Sequence, residues 1–205
     1  IKKVIAASAL LGIGTMTTFV GRDPGQSIEA QWDAFLDVWK PIIAFAESHN
    51  VRVGIENCPM LFSLDEWPGG KNLAISPDVW RRMFDAIPSD HFGLNFDPSH
   101  LIWQHIDYVR CIREFGAKFV HVHAKDTKIQ PDKLYERGIM GLGWHTPKLP
   151  GLGDVNWGAF YSALTDMRYT GAVCIEVEDR AYEGSMDDVK RSIIQSKRYL
   201  EPFMR

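Results

Sequence analysis

Asp97 and His100 stand three residues apart in GLNFDPSHLIWQ, directly after a short apolar run and around a proline. An acid and an imidazole at that spacing form either the polar turn that leaves a strand or the rim of an active site. Three further segments join an apolar run to ionisable groups: VRVGIE closes on Glu56, FVHVHAK carries His123 and Lys125, and AVCIEVE carries Glu176 and Glu178. Taken singly, each group is more often a helix cap, a solvated loop residue or a hydrogen-bonded histidine than a ligand. Brought to one place, three carboxylates and an imidazole would repel or suffer heavy desolvation unless a positive charge stood among them. Glu56, Asp97, His123 and Glu176 suit one divalent cation: oxygen donors favour Mn²⁺ or Mg²⁺, and neutral imidazole admits Co²⁺ or Zn²⁺.

Strand parity says how such groups could meet. Side chains alternate along a strand, so Val51, Val53 and Ile55 share one face and Arg52, Gly54 and Glu56 the other. Leu94 and Phe96 oppose Gly93, Asn95 and Asp97; Val120, Val122 and Ala124 oppose His121, His123 and Lys125; Val173, Ile175 and Val177 oppose Cys174, Glu176 and Glu178. One face is small and branched, suited to lie under helices, and the other grows polar toward its C-terminal end. A doubly wound sheet reads instead as nearly continuous apolar runs. A barrel, whose inner face converges on an axis and whose C-terminal mouth gathers the chemistry, fits better.

The elements that must position these groups alternate in α/β order. Strands are expected near Leu11 to Thr18, Val51 to Glu56, Phe92 to Asp97, Lys118 to Lys125 and Ala172 to Glu178. Ser27 can cap a helix carrying Trp32, Phe35, Leu36 and Trp39, which Pro41 should kink or split. Ser76 with Pro77 starts a helix bearing Trp80, Met83, Phe84 and Ile87. Asp154 opens one with Phe160 and Leu164, and Ser185 with Asp188 opens the last. Thr127 to Gly153 is rich in Gly and Pro without a clear period, and long loops in compact domains tend to be functional.

Composition narrows the classes. The 205 residues are 45% hydrophobic and 24% charged, which suits a single soluble domain. A net charge of −3 offers no broad basic field for nucleic acid. Cys58, Cys111 and Cys174 are an odd number without a C-x-x-C pair, which argues against disulfides or a thiolate zinc site and for a reducing cytoplasm. No run is apolar and long enough for a membrane span, and IKKVIAASALLGIG is a poor signal peptide. The absent initiator methionine suggests a cut N-terminus.

IENCP, NFDPSH, HVHAKD, PGLGDVNW and IEVED, in that order, resemble the sugar isomerase/epimerase group of xylose-isomerase-like TIM barrels over nearly the whole chain. The resemblance implies a TIM (β/α)8-type barrel seen in part, as about its last five βα units. Glu56, Asp97, His123 and Glu176 would be the metal ligands, on strands five to eight. Leu11 to Thr18 would be strand four and the first three strands would be absent, where a full barrel takes ~250 residues. The chain is then either part of a longer protein or one whose open sheet edges pair with another copy.

By the same resemblance, the protein moves a proton beside a carbonyl of a sugar, sugar phosphate or keto-polyol through a metal-stabilised enediolate. Glu56 and Glu176 would serve as base and acid, and His100 would donate a hydrogen bond to a substrate oxygen. Lys125 would reach a phosphate, carboxylate or hydroxyl, or else pair with Glu178. Asn57, Trp103 and His145 are further candidate substrate contacts. Asp126 would orient His123 or cap the next segment, and Glu178 competes with Glu176 as ligand. Two other enzymes remain. A keto-polyol dehydratase or lyase would use the same scaffold. An endonuclease IV-like repair enzyme needs an Asp-x-His pair that is lacking, since Gly143 precedes His145 at that spacing. A non-enzymatic binding protein with a vestigial site is the third alternative.

Overall fold

Short apolar runs form a parallel sheet here because the amphipathic stretches between them cover it with aromatic side chains. The computed structural model describes residues 1–61 and 70–204. The chain divides into two units, Ile1–Phe96 with Lys118–Val122, and Asp97–Ala117 with His123–Arg205. Its elements are α1 (Lys2–Leu10), β1 (Thr15–Thr18), α2 (Trp32–Ser48), β2 (Arg52–Glu56), α3 (Pro77–Ala86), β3 (Phe92–Phe96), α4 (Ser99–Trp103) and α5 (Tyr108–Phe115). There follow β4 (Phe119–Ala124), β5 (Asp126–Ile129), α6 (Pro131–Arg137), β6 (His145–Lys148), α7 (Trp157–Asp166), β7 (Val173–Ile175) and α8 (Met186–Leu200).

In the first unit β1, β2, β3 and the start of β4 pair in parallel, with Glu56 opposite Asn95 and Asn95 opposite His121. Trp39 of α2 and Phe84 of α3 lie 5.8 and 5.5 Å, centroid to centroid, from Phe92 of β3. Phe96 stacks on Phe119 at 4.5 Å. Gly93 is required for this approach, because a Cβ there would collide with the carbonyl of Lys118.

Two expectations are corrected in this unit: α2 is not split, and the first strand is short. Pro41 lies inside one continuous α2. The lost hydrogen bond and clash cost about 3 kcal/mol, and burial of Trp32, Phe35 and Trp39 before the proline and of Ile42, Ile43 and Ala46 after it offsets that cost. The first strand is also shorter than Leu11 to Thr18. Helix α1 runs to Leu10 and ends over Gly12 at φ 70°, which leaves only Thr15–Thr18 for β1.

The second unit takes up β4 at His123, and Glu176 N donates to Ala124 O at 3.3 Å. Through β4 the strand order is β1-β2-β3-β4-β7. The stretch from Thr127 to Gly153 is structured, contrary to expectation: β5 and β6 pair antiparallel, Ile129 opposite His145, with α6 between them. Asp154 does not cap α7. Its Oδ2 accepts from Ile129 N at 2.7 Å, and the cap is Asn156, which accepts from Ala159 N. Ser185 does cap α8, accepting from Asp188 N at 3.1 Å. The last strand stops at Ile175 because Asp179 turns the chain into a 3-10 turn, accepting from Ala181 N. Among the described residues no helix is long and apolar enough to cross a membrane.

Candidate metal centre

Asp97 follows β3 directly and is fully buried. Its Oδ1 accepts from Ser99 N at 2.8 Å, which turns the chain at Pro98 and starts α4. That turn brings His100 back, so that His100 Nε2 stands 3.3 Å from Asp97 Oδ2. The DPSH segment is therefore a turn that brings its histidine beside its aspartate.

His123 sits near the end of β4, and its Nδ1 lies 3.0 Å from Oε2 of Glu176, the residue after β7. Asp97, His123 and Glu176 each offer one ligand atom, and these atoms lie within 4.8 Å of one another. Lys125, one residue beyond β4 and 3% exposed, places Nζ 3.2 Å from Asp97, 3.0 Å from Glu176 and 3.1 Å from Glu178. Burial opposes the Lys125 charge, but Asp97, Glu176 and Glu178 outweigh it and hold the ammonium above its ordinary range. Burial likewise pushes Glu176 up, while His123 and Lys125 bring it down further, to about 2. A buried and a half-buried carboxylate and an imidazole converging on one point, with more negative than positive charge around them, match the mixed oxygen and nitrogen donors of a divalent cation.

Glu56 belongs to the first unit, at the end of β2, where Asn95 Nδ2 donates to its Oε2 at 3.4 Å. Asn72 fixes the chain beside it. Fully buried, it donates to the carbonyls of Glu56 and Cys58 at 2.7 Å each and accepts from Val20 N and Ala74 N. Asn57 is wholly buried. Asn95 was legible, since it shares a strand face with Asp97; Asn72 was not, since its bonds are long-range.

Trp103 and His145 stack in the second unit, planes 1° apart and centroids 4.7 Å apart, with the buried Trp144 edge-on to both. Burial, then the nearby His100, lowers His145 to about 4. Asp126 neither orients His123 nor caps the following segment. It accepts from the backbone N–H of Thr127, Gly151 and Val155 and from Trp157 Nε1, all at 2.9 to 3.0 Å, so it ties the segment before α7 to the end of β4. Burial still leaves it above the usual carboxylate range, these donors notwithstanding. Gly153 permits the approach, because a Cβ there would strike the Asp126 carboxylate and the Thr127 carbonyl.

Comparison with known proteins gives the family and the fold. The family described as xylose isomerase-like TIM barrel matches residues 1–202. YfiH of Bacillus subtilis, an uncharacterized protein, is 30% identical over 164 residues, 73% of this chain and 48% of that one. Inosose dehydratase of Clostridium perfringens is 25% identical over 103 residues, 47% of this chain and 34% of the enzyme. The chain thus spans about half the length, or less, of these curated relatives. Among solved structures, IOLI protein with a binding zinc atom has a TM-score of 0.72 at 15% identity, covering 99% of this chain and 68% of that one. D-psicose 3-epimerase with D-tagatose, from Clostridium cellulolyticum H10, has a TM-score of 0.70 at 12% identity, covering 98% and 68%. The shared fold is α/β, a half-barrel of five strands.

Proposed function

The chain belongs to the xylose isomerase-like TIM barrel family, and from that premise we propose that it is a divalent-metal-dependent isomerase or epimerase of a sugar, sugar phosphate or related keto-polyol. The observation that carries this is the convergence of Asp97, His123 and Glu176 within 4.8 Å. Glu56 is the fourth ligand of this reading. Its position at the end of β2, opposite Asn95 of β3, supports this reading. A zinc atom in one solved relative and a ketose in another support the metal and the substrate class.

When bound, a divalent ion supplies positive charge that stabilises the negative charge developing on adjacent substrate oxygens. The residues do the rest. Glu176, ionised and beside His123, takes a proton from the carbon beside the carbonyl. Glu56, from a different strand, returns a proton to that carbon. His100, kept near Asp97 by the α4 turn, donates to a substrate oxygen, and Asn57, Trp103 and His145 shape the surroundings. We place the protein in the cytoplasm, without a nucleic-acid or membrane partner, as one domain able to associate with a second copy through its sheet edges.

The test is proton exchange. Protein loaded with Mn²⁺ is incubated with ketoses, ketose phosphates and keto-polyols in deuterated buffer, and the products are followed by NMR. Deuterium beside the carbonyl together with an epimer or isomer is the expected result; no exchange with any of them contradicts the proposal. The likeness to inosose dehydratase favours one second reading, loss of water after the same proton removal. A dehydrated product in that experiment would establish it.

A further inference from the structure

Lys125 has three N–H donors, and three carboxylates stand within 3.2 Å of its Nζ: Asp97, Glu176 and Glu178. Its donors are thus matched, which leaves none for a substrate phosphate. Two of those carboxylates are ligands in the reading given above, on which this inference rests. An ammonium and a divalent cation at the same carboxylate oxygens repel each other, so both cannot keep these positions. The third carboxylate differs. Glu178 is 48% exposed, against 30% for Glu176 and none for Asp97. Its neighbour Asp179 is buried and held at 3.1 and 3.2 Å by Lys148, which anchors the backbone at that point.

We propose that Glu178 is a positioning residue that draws Lys125 away from Asp97 and Glu176 when a divalent cation binds, so that the Lys125 ammonium is a displaceable counter-ion of the ligands and not a substrate anchor. Glu178 then acts on the metal only through Lys125. Without it, Lys125 stays on the two ligands and competes with the metal. Without Lys125, Glu178 has nothing to draw away.

The test is a double-mutant cycle on Mn²⁺ affinity, read by competition with a chromophoric chelator, on wild type, Glu178→Gln, Lys125→Met and the double variant. Circular dichroism checks the fold, and Lys125→Gln replaces Lys125→Met if the latter does not fold. Glu178→Gln alone is expected to raise the Mn²⁺ Kd about tenfold, and by less than about twofold in the Lys125→Met background. Lys125→Met is expected to bind Mn²⁺ at least as tightly as wild type. Three results overturn the proposal while leaving the metal site standing. Glu178→Gln has no effect; its effect persists without Lys125, which makes Glu178 a ligand; or Lys125→Met weakens binding, which makes Lys125 a brace for the ligands. Wild-type protein that binds no Mn²⁺ overturns the functional reading, and this inference with it.

Discussion

His123 Nδ1 and Glu176 Oε2 meet at 3.0 Å, held there by the hydrogen bond that joins Glu176 N to the carbonyl of Ala124. Either group alone is an ordinary polar residue; facing each other beside Asp97, they are two of the ligands proposed above. Glu176→Gln and His123→Ala should each raise the Mn²⁺ Kd by about a hundredfold, and Glu176→Gln should lower the exchange rate by about a thousandfold at saturating metal. Metal titration and solvent-exchange kinetics check this. Near wild-type exchange in Glu176→Gln would remove it from the chemistry.

Asp126 accepts four hydrogen bonds in the second unit, from Thr127, Gly151, Val155 and Trp157. Asp126→Ala leaves four donors, three of them buried, without this acceptor and should destabilise the protein by about 3–5 kcal/mol. Urea denaturation measures it, and a loss below about 1 kcal/mol would show that the tie contributes little.

Asn72 is the corresponding tie in the first unit, bonded to Val20, Ala74, Glu56 and Cys58. Asn72→Ala should cost about 2–4 kcal/mol, because two carbonyls and two N–H groups lose their partner together. Amide hydrogen exchange should rise at Val20 and Ala74. Unchanged protection at both would contradict the assignment.

His145 is lowered from 6.5 to about 4, first by burial and second by His100. The sign follows from linkage. Between about pH 6.5 and 4 the unfolded chain binds a proton here that the folded chain does not, so this group makes stability fall as pH falls through that window. His145→Gln should therefore lose less stability than wild type between those limits. An imidazole NMR titration with a midpoint above 6 would overturn the account.

Alternation made much of this visible in the sequence. Parity in VRVGIE and FVHVHAK puts Glu56 and His123 at strand ends, and both are found there. The Asp-Pro-Ser-His spacing indicated a turn leaving the strand, and His100 does follow β3 closely, 3.3 Å from Asp97, a proximity the sequence did not show. What was hidden depends on distant partners. The bonds of Asp126 to Gly151, Val155 and Trp157 span 25 to 31 residues, and no local pattern announces them. The β5–β6 hairpin was missed because Pro147 lies inside β6 and the pairing strand carries no apolar alternation. Pro41 does not split α2, since buried side chains on both sides of it outweigh its local cost.

The most direct test of the central claim is the metal content of the purified protein, measured by plasma mass spectrometry after exposure to Mn²⁺ and removal of free ion. We expect about one metal per chain, lost in a folded Asp97→Asn, His123→Ala double variant. Wild-type protein that retains no metal, or a double variant that retains it all, would contradict the site.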